Sequence, residues 1–134
     1  MNKKLWALPV TVTACAVTVI AALALAACNS VFAPPEPVTI TVIAQDNKFD
    51  PATLTVRVNQ PVTITLQNND AVVHSFVIDE LNVKIDNVPP GGTGSASFTA
   101  TEVWTYTEGG AYLFYCDLPG YKEAGMRGNL IVNP

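Results

Sequence analysis

The chain has 134 residues, 49% of them apolar, with 13% charged and a formal net charge of −4. That length leaves room for one hydrophobic core and excludes a second domain of ordinary size. The acidic balance excludes nucleic acid as a partner, because such binding needs clustered Lys and Arg. No Gly-x-Ser-x-Gly, Ser-x-x-Lys or His-Glu-x-x-His pattern occurs, so the residues point away from an enzyme.

Lys3 and Lys4 followed by the charge-free run from Leu5 to Ala27 form the pattern of an export signal. The run ends in Leu25-Ala26-Ala27-Cys28, which resembles the lipobox at which bacterial lipoproteins are diacylated and cleaved. The resemblance implies a signal peptide over residues 1–27 and a lipid on Cys28 as the first residue of the mature chain. An uncleaved membrane span is the alternative, weakened by Pro9 and by Thr11, Thr13 and Thr18. Either reading places the rest of the chain outside the cytoplasm, periplasmic or at the cell surface, beside a membrane.

After the signal, Lys48, Arg57, Lys84, Lys122 and Arg127 stand against eleven acidic residues. Such a surface either steers a basic partner or simply solubilises the protein, and it names no redox partner. A monomer is expected. Cys15 leaves with the signal and Cys28 carries lipid, so Cys116 is the one thiol of the exported domain and no disulfide can form within it. A lone thiol in an oxidising compartment has to be buried or bound to a metal.

Residues 28–37 include Pro34, Pro35 and Pro37 and read as a stiff, extended tether. Alternating, β-branched runs then predict strands at Val38 to Ile43, Leu54 to Val58 and Val62 to Leu66. Further strands are expected at Val73 to Ile78, Leu81 to Ile85, Ser95 to Thr99, Ala111 to Cys116 and Gly128 to Val132. Asn59-Gln60-Pro61, Asn68-Asn69-Asp70, Pro89-Pro90-Gly91-Gly92 and Glu108-Gly109-Gly110 supply the turns. The glycines after Pro90 are not a phosphate loop, since neither a Lys-Ser/Thr ending nor a helix follows. Eight short strands in one stretch, residues 38–134, predict an all-β, two-sheet Greek-key sandwich or barrel.

The run from Tyr112 to Gly128, with Cys116, Pro119-Gly120 and Gly125-Met126-Arg127-Gly128, resembles the metal loop of the cupredoxins, the type 1 blue copper proteins. Asn68-Asn69-Asp70-Ala71-Val72-Val73-His74-Ser75-Phe76 resembles the earlier loop of that family, and His74 is the only histidine present. Phe49-Asp50-Pro51 and Asn59-Gln60-Pro61-Val62 extend the likeness over the whole domain. The resemblance implies one copper ion on His74, Cys116 and Met126, a backbone N–H of Ser75 aimed at the cysteine sulfur, and one-electron transfer. Soft thiolate, borderline imidazole and weak thioether suit an ion that cycles between Cu(I) and Cu(II).

Tyr121 stands where the family has its second histidine. Three readings follow: its oxygen binds the metal as phenolate; it roofs a three-donor Cu(I) site; or the site is vestigial and the three residues are ordinary core. Besides electron transfer, the chain therefore reads as an extracytoplasmic Cu(I) binding or delivery protein, or as a metal-free interaction module.

Overall fold

The structure, a computed structural model, describes residues 34–102 and 111–134. The signal segment, Cys28, most of the tether and the Glu108-Gly109-Gly110 turn lie outside the described residues. Among those described, no helix is long and apolar enough to cross a membrane.

The described residues form nine strands in chain order: β1 Val38–Gln45, β2 Lys48–Asp50, β3 Thr53–Arg57, β4 Pro61–Asn68, β5 His74–Ile78, β6 Val83–Val88, β7 Thr93–Thr99, β8 Ala111–Tyr115 and β9 Arg127–Asn133. They form two sheets, one ordered β2-β1-β4-β7 and the other β3-β9-β8-β5-β6. The expected all-β sandwich is what the chain adopts. β1 runs parallel to β4 and β3 parallel to β9, so the chain crosses between the sheets instead of forming only hairpins.

Alternation explains the layering. In β4, Val62, Ile64, Leu66 and Asn68 point inward while their neighbours face outward, and β3 buries Leu54 and Val56 in the same way. β5 is the exception, buried at all five positions because neighbouring strands flank it on both edges and packing covers both faces. Between the pairs His74↔Val88 and Phe76↔Ile85 the register slips by one, so Asp86 and Asn87 together face Ser75. Bulges of this kind re-aim side chains beside functional sites.

Most strand ends move by one to three residues from expectation, and two shifts change a residue's role. Pro61 opens β4 at its edge instead of closing a turn, and Leu81 belongs to a single 3₁₀ turn, Asp79–Leu81, ahead of β6. β2 was not expected at all, since it has three residues and only Phe49 points inward.

Phe49, Phe76 and Phe114 meet in the core with ring centroids 5.0–5.7 Å apart. Gly128, on the facing strand β9, lets the Phe114 ring lie against the backbone. A Cβ there would run into that ring and into the Ala52 carbonyl oxygen. Gly128→Ala is expected to cost about 3 kcal/mol, the upper end of overpacking penalties because a backbone atom cannot move aside. Thermal melting against wild type measures it, and an unchanged Tm would show that this contact relaxes freely.

Candidate metal centre

The histidine side of the site is assembled around a buried amide. Asn68, fully buried at the end of β4, donates from Nδ2 to the carbonyls of Val72 (2.7 Å) and Val88 (2.9 Å) and accepts the Asp70 N–H at Oδ1 (3.0 Å). Its three polar bonds fix the loop that leads to His74, and an isosteric apolar side chain would lose all three.

Asp70 then reaches in two directions. Its carboxylate accepts the N–H groups of Asp46 (2.8 Å) and Asn47 (3.1 Å) and lies 2.8 Å from His74 Nε2. Asp46 and Asn47 are the two residues of the β1–β2 hairpin, both with φ near +55° (54° and 57°), as a mirror-image turn requires. Burial pushes the Asp70 carboxyl up, but the hydrogen bonds from Asn47, His74 and Asp46 outweigh it and hold it below the usual carboxylate range.

The sulfur side comes from the end of β8. Cys116 follows directly, and its N–H donates to the Met126 carbonyl at 3.1 Å. The intervening loop is closed by backbone bonds, Tyr121 N–H to Leu118 O at 3.3 Å and Met126 N–H to Tyr121 O at 2.9 Å among them. Gly125, at φ +99°, makes the corner that turns the chain into β9, in a region where L side chains are strained.

These two sides meet. His74 Nδ1 lies 4.0 Å from Cys116 Sγ, and His74, Cys116 and Met126 are each fully buried. Donors about 2.0–2.1 Å and about 2.3 Å from one ion lie roughly 3.5–3.9 Å apart, so this spacing accepts a shared metal with little movement. Tyr121, half-buried, places its ring edge-on to the His74 ring, with centroids 5.0 Å apart and planes at 88°. His74 adjoins Cys116 and Tyr121 through side chains, and Met126 joins Cys116 and Tyr121 through backbone hydrogen bonds.

Ser75 also touches the sulfur, through its side chain. Oγ lies 3.4 Å from Sγ, donates to the Asp117 carboxylate and accepts the Asp117 N–H at 3.0 Å. At Ser75 the link between the two loops runs through the hydroxyl. Asp117 continues to Lys84 at 3.0 Å, which also pairs with Asp86 at 3.1 Å. The Ser75 hydroxyl, and Lys84 after it, outweigh burial and lower the Asp117 pKa. On the outer side of β8 the Tyr115 hydroxyl donates to Asp79 at 2.7 Å, which with burial pushes its pKa up to about 12.

Sequence reasoning had placed Asn68 and Asp70 only as turn residues and had not singled out Asp117. The available signal was position: an aspartate four residues ahead of the sole histidine, and another directly after Cys116. Among the described residues no group of three or more His, Cys, Asp or Glu side chains converges. The two side chains that do approach each other, an imidazole and a thiol, are of the softer kind.

The model of the cupredoxin-like domain family matches residues 15–132. The chain belongs to the cupredoxin-like family. This cupredoxin is 33% identical over 108 residues to the copper-resistant cuproprotein CopI of Rubrivivax gelatinosus, a match covering 70% of the chain and 66% of CopI. The chain therefore spans just under two thirds of that relative's length. It is 32% identical over 94 residues to plastocyanin A/B of Petroselinum crispum, covering 63% of this chain and 87% of that one. Among solved structures, auracyanin A, a "blue" copper protein of Chloroflexus aurantiacus, superposes with a TM-score of 0.60 at 27% identity, over 72% of this cupredoxin and 99% of auracyanin A. The fold is thus one shared with copper proteins.

Proposed function

We propose that this cupredoxin binds one copper ion between His74, Cys116 and Met126 and holds it outside the cytoplasm, tethered to a membrane through a lipid on Cys28. The observation that carries the reading is the 4.0 Å approach of His74 Nδ1 to Cys116 Sγ in a fully buried setting. Thiolate and thioether select Cu(I) over harder ions, and one imidazole completes a three-donor set that Cu(I) accepts. The edge-on ring of Tyr121 supports its role as a roof that keeps water from the donors, in preference to a phenolate ligand. When bound, copper would supply a one-electron redox couple; the chain's own residues orient the donors and exclude solvent.

One-electron transfer is the second reading, favoured by the likeness to auracyanin A. Neither reading assigns the chain an enzymatic reaction. The test uses purified protein titrated with Cu(I) without oxygen and separately with Cu(II), followed by metal content and visible absorption. One Cu(I) per chain with little colour is expected, and Cys116→Ser should abolish it. Intense thiolate charge-transfer colour in the wild type would favour the electron carrier. Wild-type protein that retains no copper under either condition would leave the metal-free interaction module.

A further inference from the structure

We propose that Asp70 is the positioning residue of this centre, fixing His74 in the tautomer with its proton on Nε2 so that the Nδ1 lone pair faces Cys116. A neutral imidazole carries one N–H and one lone pair, and its hydrogen-bond partners decide which nitrogen has which. His74 Nε2 lies 2.8 Å from a carboxylate oxygen, which can only accept, so the proton belongs on Nε2. The opposite nitrogen, Nδ1, is the one aimed at Cys116 Sγ.

The carboxylate is itself unable to turn away. Two hairpin N–H groups, from Asp46 and Asn47, hold its oxygens, and Asn68 Oδ1 holds the Asp70 N–H. The histidine is therefore fixed through Asp70 to two separate parts of the β2-β1-β4-β7 sheet, the β1–β2 turn and the end of β4. Tyr121 meets His74 as a perpendicular ring, a contact that sets no tautomer. In a site with a single imidazole no second histidine can compensate for a misdirected one, so the positioning matters more here than in a site with two.

The affinity half of this inference rests on the copper reading; the tautomer half concerns the metal-free protein alone. Because the chain has one histidine, nitrogen-15 NMR of metal-free protein, at a pH where the imidazole is neutral, reports His74 without ambiguity. Wild type should show the Nε2–H form, with that proton protected from solvent exchange. In Asp70→Asn the amide oxygen can keep the Asp46 N–H at the Oδ1 place while the amide nitrogen takes the Oδ2 place and donates to Nε2, which gives up the Asn47 N–H and moves the ring proton to Nδ1. That variant should show the Nδ1–H form and bind Cu(I) about 10- to 100-fold more weakly in competition with a chelator, the usual effect of losing a partner behind a metal ligand.

Wild-type protein with its ring proton on Nδ1 would overturn the proposal even if the variant fails to fold. So would Asp70→Asn with an unchanged tautomer and unchanged affinity. Wild-type protein that takes up no Cu(I) sinks the copper reading alone, and the two tautomer measurements then decide the role of Asp70 by themselves.

Discussion

Tyr121→His turns copper-loaded protein intensely coloured and tightens its hold on Cu(II) by at least about 100-fold. The loop geometry supports the change, because position 121 is fixed by backbone bonds to Leu118 and Met126 that a side-chain replacement leaves alone. An imidazole there would start from a ring position already beside His74. A second nitrogen donor completes the two-imidazole, one-thiolate set of blue copper sites, with Met126 as the weak axial partner. A direct ligand outweighs a partner behind a ligand, whose loss alone costs about 10- to 100-fold. Visible absorption and Cu(II) competition measure both effects. A folded, copper-loaded variant that stays colourless would mean that position 121 does not face the metal.

Phe114→Ala is the most damaging single truncation expected in the domain. Phe114 is fully buried, lies 5.0 Å from the Phe76 ring and 5.7 Å from the Phe49 ring, and fills the space that Gly128 leaves open. Removing such a ring costs about 3–5 kcal/mol, the sum of lost transfer energy and an unfilled cavity. For a domain near 100 residues each kcal/mol is worth roughly 4–8 °C, so Tm should fall by at least about 12 °C. That loss is a large share of the roughly 5–15 kcal/mol that such domains possess. Calorimetry or thermal circular dichroism provides the number, and a fall under a few degrees would mean that the core collapses into the gap.

Much of this architecture is legible in the sequence because strict alternation forces a residue's face. Val62, Ile64 and Leu66 can only share one side of a strand, and the β4 burial pattern follows. β2 escapes that logic, as a single inward phenylalanine makes no period. Cys116, Met126 and His74 were found through motif spacing, which encodes which loops carry them.

Spacing does not encode how a side chain is held. Asn68 and Asp70 have the composition of a turn, and only the fold reveals that the amide is buried against β6 and that the carboxylate spans from the β1–β2 hairpin to the imidazole. Tyr121 stayed open to three readings for the same reason: its identity sets its chemistry, while its role depends on a ring packing that no local pattern specifies. Asp117 belongs to this class too, since its link to Ser75 joins positions 42 residues apart.

The direction of β1 has a consequence for how the molecule is presented. The strand starts beside the Pro34–Pro37 segment, where the Gln60 side chain grips the Glu36 carbonyl at 2.8 Å, and it ends at the hairpin that clasps Asp70. Eight strand residues at about 3.3 Å each put roughly 25 Å between the entering chain and the imidazole. Residue 34, where the described chain begins, therefore lies at the pole remote from the histidine. Exposed Val72 and Val73 precede His74 directly and so lie at the histidine's own pole.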